Sequence, residues 1–536
     1  MLSLRKGKIR MKGRIGIICL FVIVLGSCRE HVPNPNMQLT LSYYDSLSQR
    51  RERVSIRKVQ EGLDSMIRND DDSMLVDRRV KGFYLRHHDF VWISRKGVDS
   101  RVDTLLAHLQ EVDSIGLSEV KFRMPQIRKD LQRMRELRFD RRNTASQVVA
   151  RLEYNLTKAY LRYVFGQRFG FVNPTDVFNR LDLKKQDSPE KVYRTLFALK
   201  MDHPDRAFFR QAIRAVRPDS LPAFLNSVMP DDPLYLSLRR TFLDRQMRKR
   251  YGYNTLLVNM ERCRWRLADY PHMHRRFVVV NIPAYHLWAV DGERALTMRV
   301  ASGSLETKTP LLSSYIYCMD VNPQWIIPKS IVKKSIVHRL SSGYFQSKHY
   351  FIRERSTGKI IPVSQCNRAM LESGEYLVIQ EGGEGNALGR IIFRFNNDFS
   401  IYLHDTSSRG VFQQEDRGVS HGCVRVEHPY ELALYLLGDQ RSAMAEKIAY
   451  SMQADVSPLG KPKEELTDRQ QAVADTLRRD MLVGRVKVEP KIPIFITYFT
   501  LWPSSDGVLQ HYDDVYGYDQ VMMAWLKNYC YGGTSL

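Results

Sequence analysis

The pattern of the 536 residues predicts an α+β, multidomain chain: a mainly helical N-terminal scaffold followed by a β-rich domain. Between about Gly82 and Tyr270, apolar residues recur at three- and four-residue spacing, the period of a helix with one buried face. Near residue 276 the pattern becomes short, continuous apolar runs bounded by turn residues, as in buried strands. The length suits two to four domains, and 43% hydrophobic with 26% charged residues is a globular composition.

The elements follow in order. Residues 1–27 combine a basic stretch (Arg5 to Arg14), an apolar run from Ile15 to Leu25, and Gly26-Ser27-Cys28. Eleven apolar-leaning residues are too few to span a bilayer, so this is a targeting segment expected to be removed. Leu25-Gly26-Ser27-Cys28 resembles a bacterial lipobox, which implies lipid attachment to Cys28. Residues 28–80, polar with Pro33 and Pro35, are expected to form a tether with one or two loose helices. The helical scaffold is expected over 81–270. Val102, Leu105, Leu106, Leu109 and Val112 make one apolar face, and Leu152, Leu156, Ala159, Tyr160 and Tyr163 another.

Residues 271–440 are expected to form the β-rich domain. Phe277 to Ile282 reads as a buried strand. Leu287–Val290 and Ala295–Val300, joined through Asp291-Gly292, read as a hairpin. A second unit runs from Arg390 to Phe395, turns at Asn396-Asn397-Asp398, and returns from Phe399 to Leu403. A lid is expected at about 330–375. Pro429 opens a helix that Gly438 closes. The extension 441–536 contains a last strand at Ile494–Thr500, expected to join the same sheet because an isolated strand leaves backbone groups unpaired.

A net charge of +23 favours anionic surroundings, such as lipid headgroups or a cell-wall polymer. No RNP, zinc-finger or basic-zipper pattern is present, so nucleic acid is not expected as a partner. The seven cysteines include no CxxC pair, so neither a zinc ribbon nor a dense disulfide framework is indicated. No metal or cofactor is expected.

The block Ser420-His421-Gly422-Cys423-Val424-Arg425 carries the chemistry, with His404 nineteen residues before the cysteine. A thiol beside an imidazole is the apparatus of nucleophilic catalysis, and a guanidinium suits a substrate carboxylate. Either histidine can serve as base from the residues alone. On an extended segment His421 and Cys423 would share a face, whereas His404 must be brought near by the fold.

With Ile401-Tyr402-Leu403-His404-Asp405-Thr406 before it, this block resembles the L,D-transpeptidases of the YkuD family, which cross-link peptidoglycan. Val280 to Tyr285, Asn322 to Pro328 and Asn386 to Arg390 are similar to further family blocks. Thr497 to Trp502 and Asp514 to Asp519 resemble the C-terminus of the large Gram-negative subgroup. The helical landmarks Phe90-Val91-Trp92 and Ala159 to Tyr163 are similar too. One departure is evident. Pro233 to Arg239 is followed almost at once by Asn259 to Trp265, and the peptidoglycan-binding module that separates such landmarks in the subgroup is missing.

The resemblance implies Cys423 as nucleophile and His404 as base, oriented by the backbone carbonyl of Asp405. It also implies an oxyanion hole from the N–H groups of Gly422 and Cys423, and Arg425, Tyr402, Trp325, Ser420 and His421 as substrate or turn residues. The implied reaction joins two stem peptides by a 3→3 cross-link through a Cys thioester. The alternatives are an L,D-carboxypeptidase, attachment of a protein to peptidoglycan, and a catalytically silent wall-binding lipoprotein. Partners then include stem peptides, a membrane through the lipid anchor, and carbapenem-type inhibitors. The implied location is periplasmic, with Arg29 leaning toward the outer membrane.

Overall fold

A computed structural model describes residues 53–86, 90–94, 97–184, 191–459, 466–504 and 506–530. The expected signal segment, Cys28 and most of the tether lie outside the described residues. Where the tether segment is described, it is not loose. Helix α1 (Ile56–Arg68) buries Val59, Leu63 and Ile67, spaced four apart, and α2 (Leu75–Arg86) follows. Both pack on the long central helix of the scaffold. The scaffold therefore begins near Val54, well before residue 81.

Helix α3 (Ser100–Gln110) is capped by the Asp99 carboxylate and buries Val102, Leu105 and Leu109, as its spacing predicts. The central helix α4 (Ala145–Phe169) opens on a capping box between Thr144 and Gln147. It is buried on nearly every side, wider than the single face expected. Gly62 lets α1 approach closely, since a Cβ there would lie 2.8 Å from that of Ala150. Charges also lock the two. Lys158 Nζ reaches Asp70 (2.5 Å) and Asp72 (2.7 Å), and Arg162 reaches Asp72 (2.7 Å) and Asp77 (2.8 Å). Paired in this way, the buried cations of α4 avoid the cost of unpaired burial. Helix α5 (Tyr253–Arg264) completes the scaffold.

The β-rich domain is built on nine strands of one sheet. They are β1 (Arg276–Asn281), β2 (His286–Asp291), β3 (Arg294–Gly303), β4 (Leu312–Val321), β9 (Ile391–Phe395), β10 (Leu403–His404), β11 (Gly418–Ser420), β12 (Val424–Val426) and β13 (Arg485–Thr497). Their order is β11-β3-β12-β10-β9-β4-β13-β1-β2, and β2 pairs with β3 as well, so the sheet closes on itself. Closure removes the exposed edges that invite aggregation. The β2–β3 hairpin turns through Gly292 at φ +60°, with Asp291 paired to Arg294. Helix α6 (Pro429–Leu437) ends at Gly438, φ +82°.

The expected lid is a small domain of its own. Strands β5 (Trp325–Ile326), β6 (Tyr350–Glu354), β7 (Ile360–Ile361) and β8 (Tyr376–Gln380) form a sheet ordered β5-β8-β6-β7. Ile327, Val332, Ile336, Phe345, Ile352 and Val378 make a separate core beneath it. The insertion thus runs from 325 to 380, wider than 330–375.

The extension beyond residue 440 belongs to both halves of the molecule. Strand β13 lies between β4 and β1, antiparallel to one and parallel to the other. Helix α7 (Tyr518–Leu526) packs on α5 of the scaffold. Asn259 on α5 accepts the N–H of Thr500 and of Leu501, and Arg262 pairs with Asp519 at 2.5 Å. Among the described residues, no helix is long and apolar enough to cross a membrane.

A chain ending at residue 484 leaves β4 and β1 without their shared neighbour. It is expected to yield no protease-resistant fragment spanning 276–426, whereas a chain starting at residue 53 keeps one; limited proteolysis with mass spectrometry reads both.

Candidate active site

Strands β10 and β12 pair in parallel, with Leu403 opposite Val424 and His404 opposite Arg425. Alternation along each strand then decides which side chains meet. Leu403 and Val424 are fully buried in the core. Tyr402 and His404 on one strand face the same way as Cys423 and Arg425 on its neighbour. The fold thus brings together four of the residues singled out in the sequence.

His404 is buried, and its Nδ1 lies 2.5 Å from the carbonyl oxygen of Asp405. A carbonyl only accepts, so this contact favours the proton on Nδ1 and leaves Nε2 as the basic nitrogen; the Leu388 carbonyl also lies against the ring. The Asp405 carboxylate faces elsewhere, accepting the Arg390 N–H at 2.8 Å. Gly389, at φ +66°, makes room for it, since a Cβ there would lie 2.4 Å from the Asp405 side chain.

Cys423 is half-buried. Its Sγ lies 3.8 Å from the Ser400 carbonyl, and the Tyr402 hydroxyl faces it. Ser400 itself sits in the left-handed region at φ +55°, a strained conformation that aims this carbonyl. The Tyr402 ring meets the His404 ring edge to face, 5.7 Å between centroids.

The turn before the thiol corrects two expectations. Gly422 adopts φ +118°, so the segment is not extended and the alternation that would align His421 with Cys423 fails; His421 is exposed. The Gly422 N–H donates to Ser420 Oγ at 3.0 Å, so it is not free for an oxyanion. Among the described residues the Cys423 N–H has no acceptor and remains as the available amide. Ser420 acts as a brace, its hydroxyl also donating to the Cys423 carbonyl at 2.5 Å. Trp325 lies in β5 and packs against the lid core. Cys28 lies outside the described residues.

Sequence reasoning missed the residues that hold this turn. Thr307 Oγ1 and the Ser304 N–H both donate to the Ser420 carbonyl, at 2.7 and 3.0 Å. Thr309 Oγ1 donates to the Gly422 carbonyl at 2.9 Å and accepts the Gly303 N–H at 2.9 Å. The Tyr516 hydroxyl donates to the Gly303 carbonyl and accepts the Thr309 N–H. The scaffold grips the same loop, with Lys308 Nζ 2.8 Å from both Asp182 oxygens and Arg194 donating to the carbonyls of Glu306 and Lys308. Apart from the Thr309–Gly303 bond, these partners lie over a hundred residues from what they hold, and no local signal marks them. Of them, only Tyr516 falls within a stretch the sequence had singled out.

Comparison with known proteins bears on the family. The chain matches the L,D-transpeptidase catalytic domain, YkuD, over residues 275–448, and the Scaffold domain over 78–242. Residues 275–448 belong to the YkuD family of L,D-transpeptidase catalytic domains. A Haemophilus influenzae protein named provisionally as an L,D-transpeptidase is 27% identical over 325 residues. The match spans 59% of each chain, so this chain covers under two thirds of that relative's length. An L,D-transpeptidase from Mycobacterium smegmatis matches at 14% identity over 42% of this chain and 58% of that one, with a TM-score of 0.18, too slight a likeness to bear on the fold.

Within the YkuD domain, burial sets the protonation states. His404 is pushed down to about 4, by desolvation first and by the Arg425 charge second. Burial also pushes the Cys423 thiol up, against the opposing pull of Tyr402 and Arg425. Arg425 is itself pushed down by burial, and its Nε has no hydrogen-bond partner among the described residues. Among the described residues no group of three or more His, Cys, Asp or Glu side chains is arranged to hold a metal ion.

Replacing Thr309 with Val keeps the shape but leaves the Gly303 N–H and the Gly422 carbonyl unpaired. Thr309→Val is expected to destabilise the YkuD domain by about 2–4 kcal/mol, at the usual cost of two buried unsatisfied groups. It should also lower kcat/KM about tenfold or more, the scale of a lost oxyanion donor; urea unfolding and steady-state kinetics measure the two.

Proposed function

We propose that the chain is a peptidoglycan L,D-transpeptidase that forms 3→3 cross-links through a thioester on Cys423. The observation that carries the reading is the shared face of β10 and β12, where a thiol, a tautomer-fixed neutral imidazole and a guanidinium converge. The coarser assignment rests on the catalytic-domain match.

His404 Nε2 takes the Sγ proton as the thiolate attacks the amide carbonyl between the third residue of a tetrapeptide stem and its terminal D-alanine. The oxyanion that forms is met by the Cys423 N–H. Collapse breaks the C–N bond, and the leaving D-alanine amine takes the proton from His404. A side-chain amine of a second stem then attacks the thioester, its proton passes through His404, and the thiol is restored. Arg425 stabilises the thiolate by its charge, and Tyr402 donates a hydrogen bond to the sulfur. Carbapenems acylate the same thiol. The protein works in the periplasm, anchored through a lipid on Cys28, in the outer membrane by preference.

Incubating the chain without its first 28 residues with a disaccharide-tetrapeptide should release D-alanine and yield a cross-linked dimer by mass spectrometry. Cys423→Ala should abolish both. Release without dimer would make water the acceptor, and activity retained in Cys423→Ala would remove Cys423 from the mechanism.

A base with a pKa near 4 is neutral at all higher pH. The kcat/KM profile should therefore hold as pH falls from about 7 to about 5, and drop only on approaching 4. An unshifted imidazole would place that drop at about 6.5. Conversely, alkylation of Cys423 by iodoacetamide in the free protein should keep rising with pH beyond the ordinary thiol range.

A further inference from the structure

The face that carries the thiol continues across three more strands. In steps of two residues from Tyr402, the register places Arg394 of β9, Asp320 of β4, and Arg485 and Lys487 of β13 on that same side. Arg394 Nε donates to Asp320 Oδ2, and its guanidinium carbon lies 5.8 Å from the centroid of the Tyr402 ring. The other Asp320 oxygen accepts Arg485 Nε at 2.6 Å. One largely buried carboxylate thus orients two guanidinium groups while neutralising the charge of one, and the two cations hold its own pKa down against burial. Lys487 is exposed on the same row. The terminal nitrogens of Arg394 make no hydrogen bond to the described residues.

We propose that Arg394 reads a carboxylate of the acyl-donor peptide, with Arg485 and Lys487 extending the positive surface away from Cys423. The inference rests on the proposed function for its substrate class. A planar guanidinium presents a fork that matches a carboxylate. Here the fork is held before any ligand arrives, by Asp320 at its Nε and by the Tyr402 ring beneath its guanidinium carbon, so binding costs little side-chain entropy. The same tyrosine faces the sulfur, so a peptide whose carbonyl meets Cys423 passes within reach of Arg394. Arg425 supplies charge at the sulfur itself, and Arg394 supplies recognition one ring further out.

Binding is measured by calorimetry on Cys423→Ala protein, so that it does not depend on turnover. The probes are a synthetic tetrapeptide with all carboxylates free and a series in which each in turn is a carboxamide. One carboxamide should weaken binding about tenfold to a hundredfold, the scale of a charged hydrogen bond. Adding Arg394→Gln should cost a similar factor on the all-acid peptide and abolish discrimination against that one carboxamide. Arg394→Lys should restore part of the affinity. The inference is overturned if Arg394→Gln binds every peptide as its parent does, or loses the same factor on all of them, as a purely structural partner of Asp320 would. Absence of millimolar binding by the all-acid peptide also overturns it. Failure of the unsubstituted protein to release D-alanine, with discrimination at Arg394 intact, would instead overturn the proposed function alone.

Discussion

The site depends on one pairing, the parallel register of β10 with β12. Leu403 and Val424 anchor it by burying their side chains on the core face, and that burial sends Tyr402, His404, Cys423 and Arg425 to the other. A slip of one residue would exchange the two sets, placing an imidazole and a guanidinium in the apolar core. Parallel strands cannot be joined by a tight turn, so a long connection must separate His404 from Cys423. That connection is pinned where it returns. The Tyr285 hydroxyl donates to Asp416 at 2.7 Å, the Ser302 N–H donates to the Arg417 carbonyl, and the Arg417 guanidinium covers the Tyr285 ring. Strand β3 thereby fixes both the far side of β12 and the loop leading into it.

The Ser420–Cys423 turn shows how a free amide is kept in a crowded backbone. Carbonyls of Ser420, Gly422 and Cys423 are each taken by a hydroxyl, from Thr307, Thr309 and Ser420. The Gly422 N–H is taken too. With the neighbouring groups occupied, the Cys423 N–H is left without an acceptor among the described residues. The two threonine hydroxyls come from the loop after β3, which is held by Tyr516 from one end of the chain and by Asp182 and Arg194 from the scaffold. The helical half is thus joined to the catalytic turn through one short loop, which gives a physical reason for the two domains to occur in one chain.

Part of this was legible in the sequence. His404 ends a strand whose apolar alternation is plain, and the Cys block with its Gly is distinctive, so both stood out as candidates, while the choice of His404 over His421 as base came from family resemblance. The role of the Asp405 carbonyl came from family resemblance, not from residue pattern. The failures have physical causes. His421 was aligned with Cys423 by assuming extended backbone, and the left-handed Gly422 breaks that assumption. Whether the Gly422 N–H faces solvent or Ser420 turns on a hydroxyl rotamer, which no spacing encodes. Val59, Leu63 and Ile67 repeat at four residues but sit among charges, so a packed helix looked like a tether. Arg394 reads as an ordinary solvent-facing strand residue until the register of β9, β10 and β4 is known.

The electrostatics of the site favour a resting state in which neither catalytic group is charged. Burial raises the thiol and lowers the imidazole, so both shifts oppose a thiolate–imidazolium pair. Arg425 acts on the two partners in opposite senses. It stabilises the thiolate and destabilises the imidazolium, so its charge favours an anion at the sulfur more than a separated ion pair. A permanent thiolate is the form that oxidises, whereas a neutral thiol is comparatively inert. In the proposed reaction, charge then forms only when a substrate carbonyl is present to receive the attack, as the proton moves to Nε2 and negative charge passes from sulfur to the oxyanion. Arg425 Nε and the Cys423 N–H, both without a partner among the described residues, are set in place by the register of β10 and β12 before the substrate arrives.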